Sequence, residues 1–458
     1  MKRIFFSACL FLIVINAFSQ NFPGYNTSNY SGVNGVFSNP ANVVGSRYKW
    51  NVNLLSINAG VANNNASFKL SNITSAFDGE VDSLLFGDGT KTANGNVNVD
   101  IHGLSFMFNL TKKSSIAFTS RLRVLANVVD VDGEFIESIN NDFSSSLPFN
   151  LQSSENQKVI VNGWTDWGLT YGHILYDKGP HFLKAGLTLK YLAGATNNYI
   201  NVNKLQAMMD EDVNGDIYMT NASGVVGIGV AGIDFSDDED QSIADAFNFN
   251  SSGLGADIGF IYEYRPANAS SYPNQYKFRA GISILDVGTM KYTADPDQSG
   301  YYNINIPPPP AHWYPSDIDG MSISEMKDYF DTNPYFTNLG SPASYKVSLP
   351  TSLQVNADYV INKLFAVNLG GQINLVKRSS LYNSFYYNTI AVTPRFENKI
   401  FDAYLPLSYN SVSGFNAGIS VRVGPVFFGS GSVINALTSK SKQADFHIGF
   451  TFGGVQKK

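Results

Sequence analysis

The sequence holds 458 residues, 44% of them hydrophobic and only 15% charged, with 33 Phe, 25 Tyr and 40 Gly. A formal net charge of −6 argues against a nucleic-acid partner, whose phosphates demand a basic face. The single cysteine, Cys9, lies in the first nineteen residues, so the chain beyond them has no disulfide, thiol nucleophile or cysteine metal site.

Met1 to Ser19 reads as a secretory signal. Lys2 and Arg3 supply the charged start, Ile4 to Ile15 the apolar run, and Ala17-Phe18-Ser19 a small-x-small cleavage site before Gln20. Removing the signal takes the net charge from −6 to −8. No later stretch reaches the ~18 apolar residues of a spanning helix. Residues 20–48 fit no strand well.

Fourteen strands are predicted beyond that point, at 49–61, 96–110, 114–128, 160–175, 182–196, 252–265, 275–288, 344–360, 364–377, 386–396, 398–409, 413–424, 425–437 and 444–454. Most reach the ~9–11 residues that a tilted strand needs to cross hydrocarbon. Residues 216–232 hold the pattern of a further strand, so the count lies between twelve and sixteen. The sixth strand shows the alternation best: Leu254, Ala256, Ile258, Phe260, Tyr262 and Tyr264 share one parity, and Gly255, Asp257, Gly259, Glu263 and Arg265 the other, with Ile261 the exception.

A soluble sandwich would bury the apolar parity under a second sheet, whereas a membrane barrel turns it to lipid. Connection lengths choose between them. Long links near 62–95, 129–159, 197–251 and 289–343 alternate with short turns such as Thr111-Lys112-Lys113, Asp177–Pro180 and Asn362-Lys363. Short turns on one rim and long loops on the other suit an outer-membrane barrel. The expected fold is therefore all-β, a closed antiparallel transmembrane barrel over 49–454, because in lipid only a closed sheet or a helix satisfies its own backbone.

On that reading the polar parity faces the lumen. Arg121 and Arg123, Lys184 and Lys190, Asp257, Glu263 and Arg265, and Lys277 and Arg279 are candidate lumen charges, since Arg or Lys at the lipid midplane costs ~2–4 kcal/mol. They form either a ladder of ion pairs bracing the wall or a funnel that attracts a carboxylate.

The N-terminal stretch Ser38-Asn39-Pro40-Ala41-Asn42, placed before the first strand, resembles that of the FadL-like long-chain fatty acid transporters, as do Gly186–Gly194 and Leu285-Asp286-Val287-Gly288. The resemblance implies a barrel plugged by residues 20–48, with Asn39, Pro40 and Ala41 as hatch positions. It also implies passive uptake of a hydrophobic or amphiphilic small molecule.

The remaining motifs each have a plain reading beside the functional one. Asp210, Asp212, Asn214 and Asp216 match the first half of a calcium loop, but position twelve is Asn221 and no helix pair flanks it, so an acidic surface turn competes with a weak cation site. Asp237–Asp240 adds acidity in the same link. Gly227-Ile228-Gly229-Val230-Ala231-Gly232 matches a dinucleotide fingerprint without its strand and helix context, and reads as packing. Ser322-Ile323-Ser324-Glu325 predicts a capped helix through Phe330, following the stiff tetraproline Pro307–Pro310, with Trp313, Tyr314, Tyr329 and Phe330 able to cap the mouth. The histidines His102, His173, His181, His312 and His447 form no metalloprotease motif and no nucleophile elbow is present, so no enzyme and no cofactor are expected. The expected partners are outer-membrane lipid and a hydrophobic small molecule. A second class of function is a non-transporting outer-membrane protein whose large loops bind a protein partner.

Overall fold

Alternating apolar and polar side chains make these segments strands, and the sheet closes on itself because an open edge in lipid would leave backbone groups unpaired. The structure, a computed structural model, describes residues 22–67, 92–132, 147–152, 156–233, 251–267, 276–438 and 441–455. The expected signal at 1–19 and the run Asp237–Asp240 lie outside the described residues.

The wall has fourteen strand positions. In chain order they are β1 (Tyr48–Asn63), β2 (Ala93–His102, resuming as Ser105–Asn109), β3 (Ser114–Val131), β4 (Asn156–Lys178), β5 (His181–Glu211), β6 (Ser251–Tyr264) and β7 (Phe278–Thr293). There follow β8 (Ser344–Ser348 and Ser352–Val360), β9 (Phe365–Asn374), β10 (Thr389–Glu397), β11 (Phe401–Tyr404 and Leu407–Asn410), β12 (Gly414–Ala417 and Ile419–Val423), β13 (Val426–Ser430) and β14 (Gln443–Val455). Each pairs antiparallel with the next. The barrel closes where β1 meets β14, from Tyr48 opposite Val455 to Leu55 opposite Phe450.

Burial follows the parity. On β6, Leu254, Ile258, Phe260 and Tyr264 point outward, while Gly255, Asp257, Gly259 and Glu263 are buried. Ile261 also points inward, so the exception in the sequence is an apolar residue facing the lumen. Leu169 on β4 and Leu189 on β5 oppose one another on the outer surface, each 61% exposed. Trp50, Phe108, Tyr171, Tyr264, Tyr359 and Phe452 are exposed toward the short-turn rim, as an interfacial aromatic girdle requires. A closed barrel with an apolar belt of this kind indicates an outer-membrane location.

The opposite rim carries folded structure. β5 runs on past the belt to Glu211, and Ile217–Gly229 turns back along it. Gly300–Ile306 pairs with that strand and Phe336–Asn338 with Gly300–Ile306. Helix α1 (Ile323–Thr332) packs Met326 and Phe330 against Met209, Met219, Trp313 and Phe336. The Ser322–Glu325 capping box forms in full at its start. The links read as separate loops at 197–251 and 289–343 thus share one sheet and one apolar core.

Several strand ends differ from the sequence reading: the strand expected over 182–196 runs on to Glu211, and two others stop or start elsewhere for a visible reason. The strand expected over 425–437 stops at Ser430, and Val433–Thr438 is a short helix, α2. The Asp445 carboxylate turns the chain there by accepting from the Gly431 N–H and the Ser432 hydroxyl. The strand expected from residue 386 begins at Thr389, because residues 375–388 fold into the barrel.

Candidate functional site

Residues 22–47 lie inside the barrel, held by wall side chains that satisfy their backbone. Asn51 on β1 accepts from the Val33 N–H at 2.8 Å, and Asn58 from the Phe22 N–H at 3.0 Å. Lys184 on β5 donates to the Val44 carbonyl at 2.7 Å, Arg279 on β7 to that of Thr27 at 2.9 Å, and Ser420 on β12 to that of Pro23 at 2.7 Å. The segment coils into two 3₁₀ turns, Gly32–Phe37 and Pro40–Val43.

Asn39 and Pro40 start the second turn in the manner of a helix cap. The Asn39 side chain accepts from the Ala41 N–H at 2.9 Å, and Pro40 sits at the first position, where no N–H is needed. The same Asn39 amide donates to the Phe260 and Ile282 carbonyls on β6 and β7, both at 3.2 Å. Glycines make the seat: a Cβ at Gly186 would fall on the Pro40 backbone, and one at Gly259 on the Asn39 side chain.

A second segment enters from the long-loop side. Within 375–388, Ser384 and Phe385 are fully buried. Asn127 on β3 both donates to and accepts from the Phe385 backbone, at 3.0 and 2.9 Å. Asn197 donates to the Tyr382 carbonyl at 3.0 Å, and Lys158 to the carbonyls of Arg378 and Ser380. Tyr382 and Tyr386 pack against an apolar layer that includes Trp164, Tyr292 and Tyr345. Nothing in the sequence announced this segment beyond its aromatic content.

The predicted lumen charges meet in pairs. Arg121 is bound to Asp100 on β2. Arg123 bridges Asp166 at 2.8 Å and Asp286 at 2.7 Å, its guanidinium 4.5 Å from the Trp164 ring centroid. Lys190 reaches Asp257 and Asp286, each at 2.7 Å. Glu263 takes Arg265 at 2.5 Å and lies 3.9 Å from Lys184. Arg279 and Arg395 share Asp358. Lys277 lies at the short-turn rim, donating to the Val360 carbonyl at 2.6 Å with its ammonium over the Tyr359 ring.

Sequence reasoning missed the partners Asp100, Asp166, Asp286 and Asp358 and the second cluster around Arg395, Glu397, Asp402 and Arg422. Asp286 had no parity signal because it sits on a β-bulge. The β6–β7 register slips between Ile284 and Val287, Asp286 takes φ 60°, and Leu285 and Asp286 are buried while Ile284 and Val287 face out.

Between residues 22–38 and the β8–β10 wall lies a cavity of about 120 Å³. Register explains it. Across the inner face of β8, β9 and β10 run three rows: Gln354, Gln372, Thr389; Asn356, Gly370, Ala391; and Asp358, Asn368, Thr393. Gly370 and Ala391 leave the middle row nearly without side chains, which hollows the wall, and Phe22, Phe37, Arg121 and Tyr386 also line the space.

The calcium-like residues sit in the exposed turn after β5. Asp212 accepts from the Asn214 and Asp216 N–H groups at 2.8 and 3.0 Å, which holds its carboxyl below the usual range, and Asp210 accepts from the Tyr218 hydroxyl at 3.4 Å. Among the described residues no group of three or more His, Cys, Asp and Glu is placed to hold a metal. Gly227–Gly229 ends the strand that pairs with β5. His102 bonds Asn34 at 2.9 Å, and His173 and His181 bond Ser114 and Tyr262 at 2.8 and 2.7 Å near the short-turn rim.

No curated protein matches this sequence. Among solved structures the chain is similar to the toluene transporter TbuX of Ralstonia pickettii, at 10% identity and a TM-score of 0.42 over 92% of this chain and 94% of that one. It is also similar to a FadL homologue of Pseudomonas aeruginosa, at 9% and 0.39 over 95% of each chain. The translocator domain of the autotransporter NalP from Neisseria meningitidis matches at 6% and 0.33 over 89% and 90%. At these identities and scores none of them carries a substrate or partner over to this chain. A family model does match, over residues 40–431, and its span of most of the barrel identifies the chain as a member of DUF5723, a family of unknown function.

Proposed function

We propose that this protein is an outer-membrane barrel that takes up or binds small hydrophobic or amphiphilic molecules, with long-chain fatty acids as one candidate class. The observation that carries the reading is the cavity of about 120 Å³ inside the lumen between residues 22–38 and the β8–β10 wall. A structural barrel would need no such space, and an open aqueous pore would not hold two segments across its lumen. In this reading Asn39, Pro40 and Ala41 act as a hatch, and residues 375–388 close the outer side. A ligand entering from the long-loop rim displaces the outer segment first. Uptake of labelled octanoate and 1-octanoylglycerol by a deletion strain and its parent tests the proposal: equal uptake of both probes removes it.

One observation favours a second reading. The outer layer of Ile217–Gly229, Gly300–Ile306 and α1 has its own apolar core, more structure than a passive loop requires. It would serve a protein partner at the cell surface. Deleting residues 295–342 separates the readings, since lost co-purification of a partner with uptake unchanged supports the interaction role.

A further inference from the structure

We infer that the lumen cavity is a binding site for an uncharged head group rich in hydroxyls, such as the glycerol end of a small amphiphile, and not for a carboxylate. The inference deepens the uptake reading and rests on it.

Electrostatics decides against the anion. Among the described residues Arg121 is the one basic residue that lines the cavity, and its Nε donates to Asp100 Oδ1 at 2.6 Å while its Nη2 donates to the other carboxylate oxygen. Asp286, the one acidic residue lining it among the described residues, accepts twice from Arg123 at 2.7 Å and once from Lys190 at 2.7 Å. Both charges are therefore already matched by buried partners. A ligand carboxylate would have to enter beside Asp286 without a free cation to meet it, and an unpaired buried charge is costly.

The remaining polar groups suit a neutral ligand. Gln354 and Gln372 oppose one another across β8 and β9, with Asn356 in the next row. Gln354 makes only a long contact to Ser352, at 3.5 Å. Among the described residues the Asn356 and Gln372 amides have no hydrogen-bond partner, and neither has the buried Tyr386 hydroxyl. Amides present donors and acceptors side by side, as hydroxyl groups do. Phe22, Phe37 and Leu285 add apolar surface to the lining. Its volume of about 120 Å³ is well below that of a whole drug-sized ligand site, so it holds a head group while the apolar part of the molecule extends along the inner segments.

The test is equilibrium binding to the full chain in lipid nanodiscs, with radiolabelled 1-octanoylglycerol and octanoate as probes at neutral pH. Saturable binding of 1-octanoylglycerol at least about tenfold tighter than octanoate is expected. The Asn356→Leu, Gln372→Leu double variant should weaken it about 10- to 100-fold, the loss of two hydrogen bonds at a buried site. Gly370→Leu should abolish it by filling the hollow; a Cβ there meets only the Asn368 side chain at 3.4 Å, so the wall tolerates it. Unchanged heat-modifiable migration on gels confirms folding of both variants. Octanoate binding as tightly as 1-octanoylglycerol, or a double variant that binds like the parent, overturns the inference and leaves the uptake reading standing. Binding of neither probe, together with equal uptake by deletion strain and parent, removes both.

Discussion

Replacing Arg123 by leucine should destabilise the barrel by about 3–5 kcal/mol, the cost of breaking a buried ion pair by removing one partner. Arg123 is fully buried and serves two carboxylates. Asp286 would keep Lys190 at 2.7 Å, but Asp166 has no other ion-pair partner among the described residues. The penalty therefore falls on Asp166, to which are added the lost contact with the Trp164 ring and the space left by a shorter side chain. Arg123→Lys keeps the charge and loses the fork that reaches both carboxylates, so it should cost about 1–2 kcal/mol. Urea titration of the protein folded in lipid vesicles measures both values, and heat-modifiable migration reports the folded fraction. Adding Asp166→Leu to Arg123→Leu should recover part of the loss, because the orphaned charge is gone. An Arg123→Leu barrel within about 1 kcal/mol of the parent, or no recovery in the double variant, would refute the reasoning.

Gly186→Val should push Pro40 from its seat, since the position has no room for a Cβ, and so raise steady conductance in planar bilayers above that of the parent; a variant as closed as the parent would show that the inner segment is not held there. Leu189→Lys places a charge on the lipid face, 61% exposed, and should cost ~2–4 kcal/mol in the same urea titration; a variant as stable as the parent would show that this face does not meet lipid. Glu325, outside the membrane, accepts from the Ser322 N–H, which depresses its pKa below the usual 4.5. Its contribution to α1 is present above that value and is lost as the pH falls through the depressed one, so the protection of the α1 amides, taken relative to their intrinsic exchange rates at each pH, should fall under acid, and Glu325→Gln should flatten the dependence. Protection in α1 that is equally pH-sensitive in the variant would dismiss that assignment.

Much of the architecture was legible because it depends on neighbours in the chain. Alternation on β6 assigned each residue to lipid or lumen, down to the displaced Ile261, and the Ser322–Glu325 pattern fixed the start of α1. Both are properties of a few consecutive residues, whose side chains a strand or a helix turn places by geometry alone. The candidate site belongs to another class. That Arg123 meets Asp166 and Asp286 depends on which strands lie beside each other after closure, and on a bulge that aims Asp286 inward against its parity. The hollow at Gly370 and Ala391 exists only because the register of three strands brings two small residues into one row. Residues 375–388 look like any polar and aromatic loop until Asn127 and Asn197 draw them inside. Local sequence thus determined a closed barrel and the facing of its walls. The pairing of its charges, its inner segments and its cavity were decided by contacts between residues tens to hundreds of positions apart, which no local pattern encodes.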